Sequence, residues 1–85
     1  MVDVRQIQYF SVCAKCGSFS EAAESLYTTQ PNVSKAIKAL EEEMGFLLFY
    51  RHARGISLTE EGRLVYQYAS NIEDNLHKIE QLKRK

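Results

Sequence analysis

Apolar residues recur every three or four positions through most of the chain, which is the spacing of one face of an α-helix. Four segments follow this pattern, at residues 4–15, 19–26, 30–44 and 60–83. The apolar run at 46–50 is too short for a helix, and we interpret it as the end of the helical core and the first strand of a hairpin. Residues 51–55 then form the hairpin tip, and residues 56–58 the return strand. The pattern predicts a mainly α fold with one small β-hairpin.

Capping residues frame the second and third helices. Ser18 is a good N-cap, and Glu21 three residues later predicts a capping box. Thr29 caps the third helix, and Pro31 fits its first turn, where a missing N–H costs little. Gly45 can take the left-handed conformation that ends a helix. The third helix therefore spans about four turns.

The third helix has an apolar face and a polar face of different chemistry. Its apolar side carries Val33, Ala36, Ile37, Leu40 and Met44. The opposite side carries Pro31, Ser34, Lys35 and Lys38, with Gln30 at its N-terminal edge. Amide, hydroxyl and ammonium groups are those that contact base edges and phosphates. The alternative is an ordinary amphipathic helix with a solvated polar face.

Basic and acidic residues occupy opposite halves of the third helix. Both lysines lie in its first half, and three glutamates occupy residues 41–43 in its second half. Only the N-terminal half can therefore approach a polyanion, and the positive end of the helix dipole favours a phosphate at the same end. We interpret residues 30–44 as a DNA-recognition helix that enters a groove with its N-terminus first.

The elements on either side of this helix support that interpretation. Ala22 and Ala23 are small enough for the second and third helices to cross closely, and a tight turn joins the two helices, as in a helix-turn-helix. Arg51 and Arg54 make the hairpin tip basic, which suits a wing with Arg54 in the minor groove and Arg51 on the DNA backbone. The alternative is an exposed loop whose arginines only maintain solubility.

Thr59 is the predicted cap of the last helix, whose apolar residues continue beyond the reach of a three-helix core. From Ile72 onward their spacing resembles a coiled-coil seam, and an exposed apolar stripe needs a partner. A second copy of the chain is the simplest partner, and the alternative is a helix that folds back on its own domain. The residues expected at the dimer interface are Val65, Tyr68, Ile72, Leu76 and Ile79.

Composition narrows the possible functions. The 85 residues suit one domain, and eleven basic and eleven acidic residues give a formal net charge of zero. Affinity for DNA would then depend on a few well-placed contacts and on dimerisation. No run reaches the length of a membrane span and no signal segment opens the chain, so we expect a cytoplasmic protein.

Cysteine and histidine spacing indicates neither a metal site nor a redox centre. Cys13 and Cys16 lie near a helix C-terminus, while His52 and His77 are far from them and from each other. We interpret both cysteines as reduced, with Cys13 packed as a small hydrophobe. Paired carboxylates, an activated nucleophile and a phosphate-cradling loop are not recognisable. We therefore expect no enzyme activity, no metal and no cofactor.

Many positions at fixed spacing resemble the N-terminal domain of LysR-type transcriptional regulators, in one register over nearly the whole chain. The positions are Ile7, Tyr9, Phe10, Gly17, Ser18, Phe19, Ala22, Ala23, Leu26, Gln30, Pro31, Val33, Ser34, Ile37, Leu40, Glu41, Gly45, Leu48, Phe49, Arg51, Leu58, Thr59 and Gly62. The resemblance implies a winged helix-turn-helix at residues 1–58 and a dimerising linker helix at 59–85. It also implies a larger effector-binding domain, absent from this chain, through which a small molecule would act. The end at Lys85 without a helix stop signal favours an excised domain.

In such regulators the start of the recognition helix contacts DNA, which implies base contacts by Gln30, Pro31, Ser34 and Lys35. We expect Thr29, Lys38 and Arg51 to hold phosphates and Arg54 to enter the minor groove. The predicted function is sequence-specific binding of a homodimer to inverted-repeat sites in double-stranded DNA. The alternative is a protein-interaction module in which the helix-turn-helix is only a scaffold.

Overall fold

The computed structural model describes residues 1–84. It contains four helices and one two-stranded antiparallel sheet, in the order α1 (Val4–Cys16), α2 (Phe19–Ser25), α3 (Gln30–Met44), β1 (Phe49–His52), β2 (Gly55–Leu58) and α4 (Glu60–Gln81). The mainly α fold with a small hairpin and a long final helix, predicted from periodicity, is confirmed.

The core lies where α1, α2 and α3 meet the base of the hairpin. Phe10 of α1 is fully buried, and its ring centroid lies 5.4 Å from that of Phe49 in β1. Phe19 of α2 meets the same Phe49 ring edge-on at 6.0 Å. Ala22 and Ala23 are buried where α2 faces its neighbours, as their small size predicts. This packing fixes the hairpin against the three-helix core.

Helix ends follow the capping signals, with one difference. Ser18 Oγ accepts from the Glu21 amide at 3.3 Å, but within residues 1–84 the reciprocal bond of the predicted capping box is not formed there. The complete box is found at α1, where the Asp3 carboxylate accepts from the Gln6 amide and the Gln6 side chain accepts from the Asp3 amide. A box needs both side chains in reach, and only the Asp3 pair meets this condition.

The hairpin is more regular than the sequence suggests. The pairing of Phe49 with Leu58 and of His52 with Gly55 leaves only Ala53 and Arg54 in the turn. The predicted tip at residues 51–55 is therefore too long, because Arg51 and His52 lie inside β1, with Arg51 opposite Ile56, and Gly55 begins β2. Because Arg51 and His52 are polar, the hydrophobic pattern does not show that β1 extends through them. Backbone hydrogen bonds to β2 hold this part of the strand.

The buried carboxylate of Glu41 joins the last turn of α3 to the hairpin. Its Oε2 accepts from the amides of Leu48 at 2.8 Å and Phe49 at 3.3 Å. Glu41 therefore belongs to the interior, although it begins an acidic run that looks uniformly solvent-exposed in the sequence. These bonds fix the position of β1 relative to α3.

The first turns of α4 pack on the core, and the remainder extends away from it. Thr59 caps α4 as predicted, since its Oγ1 accepts from the Gly62 amide at 2.9 Å. Ala69 is only 1% exposed and the Tyr66 ring meets Phe10 edge-on, whereas Ile79 is 63% exposed. The molecule is consequently elongated, at 46 × 26 × 21 Å. The division of the chain at residues 58 and 59 stays a prediction.

Candidate nucleic-acid interface

The N-terminus of α3 is an exposed surface with its backbone already capped. Thr29 Oγ1 accepts from the Asn32 amide at 3.3 Å, and the Asn32 side chain donates to Thr28 Oγ1 at 3.0 Å. Gln30 and Pro31, both expected to contact bases, are exposed in the first turn. The cap fixes where α3 begins, and therefore which side chains point outward from its first turn.

A groove of about 940 Å³ separates α3 from the hairpin. Ser34 and Lys38 contribute to its α3 wall, and Tyr50 and Arg51 to its hairpin wall. Ser34 is half-buried and Lys38 exposed. Residues bearing a hydroxyl, an ammonium and a guanidinium group thus line one concave surface between the predicted recognition helix and the predicted wing.

A second groove of about 550 Å³ lies on the other side of α3, against α1. Lys35 of α3 and Arg5 of α1 both line it, together with Tyr9, Thr28 and Asn32. Lys35 and Lys38, expected on the same polar face, thus open into grooves on opposite flanks of the helix. The N-terminal half of α3 has one basic residue on each flank.

Arg5 was missed by sequence reasoning. Its Nη2 donates to Tyr9 Oη at 3.5 Å, and its guanidinium lies 5.6 Å from the centroid of the Tyr9 ring. The hydrogen bond to Tyr9 is the main cause that raises the pKa of Arg5 above its ordinary value. A single arginine in an amphipathic helix gives no signal in the sequence, because its proximity to Lys35 arises only when α1 packs beside α3.

The two wing arginines occupy different positions. The Arg51 guanidinium lies over the Phe19 ring, 4.9 Å from its centroid, and this cation–π contact restricts the side chain. Arg54 is exposed in the turn between β1 and β2. Both residues line a groove of about 370 Å³ shared with Ser20 and Gln30. The structure thus brings the wing and the start of α3 onto one continuous surface.

Gln30 is held by a residue of α2. Ser20 Oγ donates to Gln30 Oε1 at 2.9 Å, across ten positions of sequence. Both residues are exposed, so this bond lies on the surface of the helix-turn-helix. Ser20 is the second residue of α2, and its spacing gives no sequence signal for this contact.

Acidic groups bound the basic surface. Glu41 is buried and engaged with backbone amides, so two of the three consecutive glutamates, Glu42 and Glu43, face solvent. Glu42 lines the far end of the groove between α3 and the hairpin, and Asp3 lines the groove beside α1. The basic groups are thus concentrated at the N-terminal half of α3.

The residues expected at a dimer interface fall into two groups. Val65 is half-buried and packs against the core. Tyr68, Ile72, Leu76 and Ile79 are 67%, 38%, 37% and 63% exposed. The second group forms an exposed apolar stripe along α4 that continues onto the part projecting beyond the core.

Cys13 is fully buried, and burial together with nearby Cys16 raises its pKa to about 12. Both cysteines are free thiols, and Cys13 packs among the core side chains as a small hydrophobe. Within residues 1–84, no three side chains of His, Cys, Asp or Glu are grouped closely enough to hold a metal ion. In the same part of the chain, no helix combines the length and hydropathy required to cross a bilayer.

Similar proteins of known sequence are transcriptional regulators. The RuBisCO operon transcriptional regulator of Allochromatium vinosum is 38% identical over 81 residues, which cover 95% of this chain and 27% of that protein. The HTH-type transcriptional regulator CzcR of Bacillus anthracis is 41% identical over 81 residues, which cover 95% of this chain and 28% of that protein. The chain thus spans about a quarter of the length of these relatives.

Solved structures with the same fold include two DNA complexes. The BenM DBD in complex with benA site 1 DNA has a TM-score of 0.89 and 34% identity, covering 95% of this chain and 91% of that one. The CbnR DBD–DNA complex has a TM-score of 0.86 and 31% identity, covering 94% of this chain and 92% of that one. Residues 4–63 match the family described as bacterial regulatory helix-turn-helix protein, lysR family. The resemblance found in the sequence is confirmed, and this chain belongs to the lysR family of bacterial regulatory helix-turn-helix proteins.

Proposed function

We propose that this chain binds specific sequences in double-stranded DNA as a homodimer and belongs to a regulator of transcription. The observation that carries the proposal is the continuous surface formed by the start of α3 and the wing, with basic residues on both flanks of the helix. A helix in the major groove has a phosphate strand on each side, so a reading helix needs positive charge on both flanks. The solved complexes of BenM and CbnR support the same assignment.

In this proposal the exposed first turns of α3 read base edges in the major groove. The residues assigned to base contacts are Gln30, Pro31, Ser34 and Lys35. The amide and hydroxyl side chains supply donors and acceptors, Lys35 supplies a positively charged donor, and Pro31 supplies an apolar contact. The cap at Thr29 holds the backbone of the first turn, so these contacts need little reorganisation on binding.

Phosphate contacts on the wing flank are assigned to Lys38 and Arg51, with Thr29 at the helix end. The Thr29 oxygen already accepts from the Asn32 amide, which leaves its hydrogen to donate to a phosphate. Arg54 at the hairpin turn is assigned to the minor groove. On the other flank, Arg5, which lines the same groove as Lys35, faces the second phosphate strand.

The exposed stripe of α4 is assigned to dimerisation. Four large apolar side chains lie exposed along about three turns of α4, and pairing with a second copy removes them from water. A symmetric pair would present two recognition helices to inverted half-sites. Val65 is only partly accessible, so its contribution to the interface is smaller.

The names of the relatives extend the proposal to the whole protein. We assign transcription regulation in the cytoplasm, where bacterial DNA lies, and no catalytic step. A small-molecule effector would act through a domain outside this chain. The alternative, a protein-interaction module with the helix-turn-helix as scaffold, is favoured only by the zero formal net charge.

Binding to a pool of random duplexes across a salt series tests the proposal. We expect enrichment of paired inverted half-sites, with affinity that falls steeply as salt rises because phosphate contacts release counterions. Lys38→Ala should lower the salt slope by about one unit on all sequences. The matched control is Lys78→Ala, in the projecting part of α4, which should leave the slope unchanged. A folded, dimeric chain that enriches no sequence would favour the interaction module.

A further inference from the structure

We propose that Ser20 is a positioning residue that turns Gln30 into a donor-only reader of its base. The proposal rests on the DNA-binding function above and adds the base preference of one contact. Ser20 Oγ donates to Gln30 Oε1 at 2.9 Å, so the carbonyl end of the amide points toward α2. The NH₂ end is left to face a base.

The orientation decides which bases Gln30 can read. A free glutamine accepts from adenine N6 and donates to adenine N7 at the same time. Because the bond with Ser20 turns Oε1 toward α2, the two N–H donors are the part of the Gln30 amide left to face the groove. Guanine presents two acceptors there, O6 and N7, whereas cytosine presents only the N4 donor. The geometry therefore favours guanine and rejects cytosine at the position that Gln30 contacts.

Removal of water at the interface strengthens this preference. A polar atom that loses water without gaining a partner opposes binding, so an amide oxygen pointing at a dry interface needs a donor from the DNA. Ser20 supplies that donor from within the protein. The carbonyl can then be dehydrated on binding without any contribution from the base.

The hydrogen bond between Ser20 and Gln30 lies where it can affect DNA recognition without affecting folding. Both side chains are exposed, and the groove that they share with Arg51 and Arg54 opens between the wing and the helix-turn-helix. Neither residue belongs to the hydrophobic core. Loss of the Ser20 hydroxyl should consequently leave the fold intact and release only the Gln30 amide.

The test compares the base preferences of variants in a random-duplex selection. The Gln30→Ala variant is measured first. The base position at which this variant loses its preference is the position that Gln30 contacts. At that position Ser20→Ala should reduce discrimination of guanine over cytosine by roughly fivefold, the factor for one ordinary hydrogen bond, and increase the share of adenine. Ser20→Thr keeps the hydroxyl and should restore the original profile. Ser25→Ala, at the other exposed serine of α2, is the matched control and should change nothing.

A double variant separates positioning from direct contact. Ser20→Ala combined with Gln30→Ala should give the profile of Gln30→Ala alone, because Ser20 acts only through Gln30. An equal loss of affinity on all sequences with Ser20→Ala would mean a phosphate contact and overturn the inference. A wild-type preference for cytosine at the Gln30 position would mean the opposite amide orientation and also overturn it. Failure of the wild-type chain to enrich any site would instead contradict the proposed DNA binding.

Discussion

The carboxylate of Glu41 connects the end of α3 to the start of β1 by accepting from two backbone amides. Those amides, at Leu48 and Phe49, belong to fully buried or nearly fully buried residues, so water cannot replace the carboxylate. One side chain therefore supplies hydrogen bonds that the local backbone does not provide. Its contribution is structural, although it lies one turn from the basic surface of α3.

Replacing Glu41 by alanine should lower the free energy of unfolding by about 2–4 kcal/mol, because two buried N–H groups lose their acceptor. Urea unfolding of the isolated chain measures the change. Glu42→Ala, at the exposed neighbour, should alter stability by less than about 0.5 kcal/mol. Equal stabilities of the two variants would show that the carboxylate does not support the hairpin.

Cys13 should make the fold sensitive to alkaline pH. Its folded-state pKa of about 12 lies above the value of about 8.5 for a thiol in an unfolded chain. As pH rises between these values, the unfolded chain releases the proton and the folded chain keeps it, so stability falls by up to roughly 1.4 kcal/mol per pH unit.

Urea unfolding at about pH 8 and about pH 10 checks this slope, with Cys13→Ala as the comparison. The variant loses core packing at both pH values, but it should show a smaller decrease between them. All other side chains are common to both proteins, so the difference between the two decreases isolates the thiol. Parallel decreases would contradict the buried neutral thiol.

At the scale of elements, two glycines determine how the wing joins the helical core. The Ile56 amide donates to Gly17 O at 3.0 Å, which ties β2 to the corner between α1 and α2. Gly55 has a φ of 139° and approaches the same carbonyl so closely that a Cβ would overlap it. The wing is thus attached at its second strand as well as through Glu41 at its first.

Gly55→Ala should therefore displace the wing from this corner and lower stability by about 1–3 kcal/mol through backbone strain and the overlap with Gly17 O. Gly45→Ala is a suitable control, since its φ of 82° is also strained but a Cβ there would meet no atom within 4 Å. Thermal unfolding and the salt slope of DNA binding should both change more in the Gly55 variant. A larger loss of stability in the Gly45 variant would show that backbone strain alone, without the overlap with Gly17 O, determines the effect of these substitutions.

Local signals predicted most of these elements, and tertiary contacts account for the rest. Thr29 and Gly45 act only on neighbouring backbone groups, so the bounds of α3 follow from sequence. The burial of Glu41 depends on the position of β1, which periodicity does not encode. Tyr27 takes a left-handed φ of 54° in the helix-turn-helix, although the sequence offers no glycine to indicate such a turn. The turn is closed by backbone bonds from the Tyr27 amide to Glu24 O and from the Thr28 amide to Ala23 O.

The residues of the candidate site likewise fall into a group that local sequence patterns predict and a group that only tertiary contacts bring to the site. The polar side of α3 and the basic hairpin are patterns within single segments, and the sequence predicted both. Arg5 and Ser20 join the surface only because α1 and α2 pack on either side of the N-terminus of α3. No spacing rule connects residues 5 and 35, or residues 20 and 30, across different helices.

At the scale of the whole molecule, α4 makes the chain elongated and leaves an apolar stripe without cover. The stripe begins at Tyr68 on the outer side of the packed part of α4 and continues past the ion pair of Lys15 with Glu73 at 3.7 Å. Beyond Glu73, every residue of α4 is exposed. A helical end of about two turns is unstable alone in water, so partner packing would also stabilise the helix itself.

Ile79→Asp should convert a dimer into monomers and reduce helix content, because a charge would be placed in the proposed interface. Ile79 is 63% exposed in the single chain, so the substitution should leave the core unchanged. Sedimentation equilibrium and far-UV circular dichroism measure the two effects. Gln67→Asp adds the same charge at an exposed polar position of α4 and should preserve the dimer. Dimerisation by both variants would contradict the assignment of the stripe.

The attachment of both hairpin strands to the helical core has a consequence for the DNA. Because the Gly17 carbonyl and the Glu41 carboxylate hold the wing, the separation between its tip and the first turn of α3 is set by the protein. A duplex whose adjacent grooves do not match that separation must bend or change its minor-groove width to engage both. The elastic cost of that deformation depends on base steps that the protein never touches. We therefore expect flexible base steps such as TA to be selected between the two contacted regions of the DNA. In this way the rigidity of the hairpin contributes to the sequence preference of the protein.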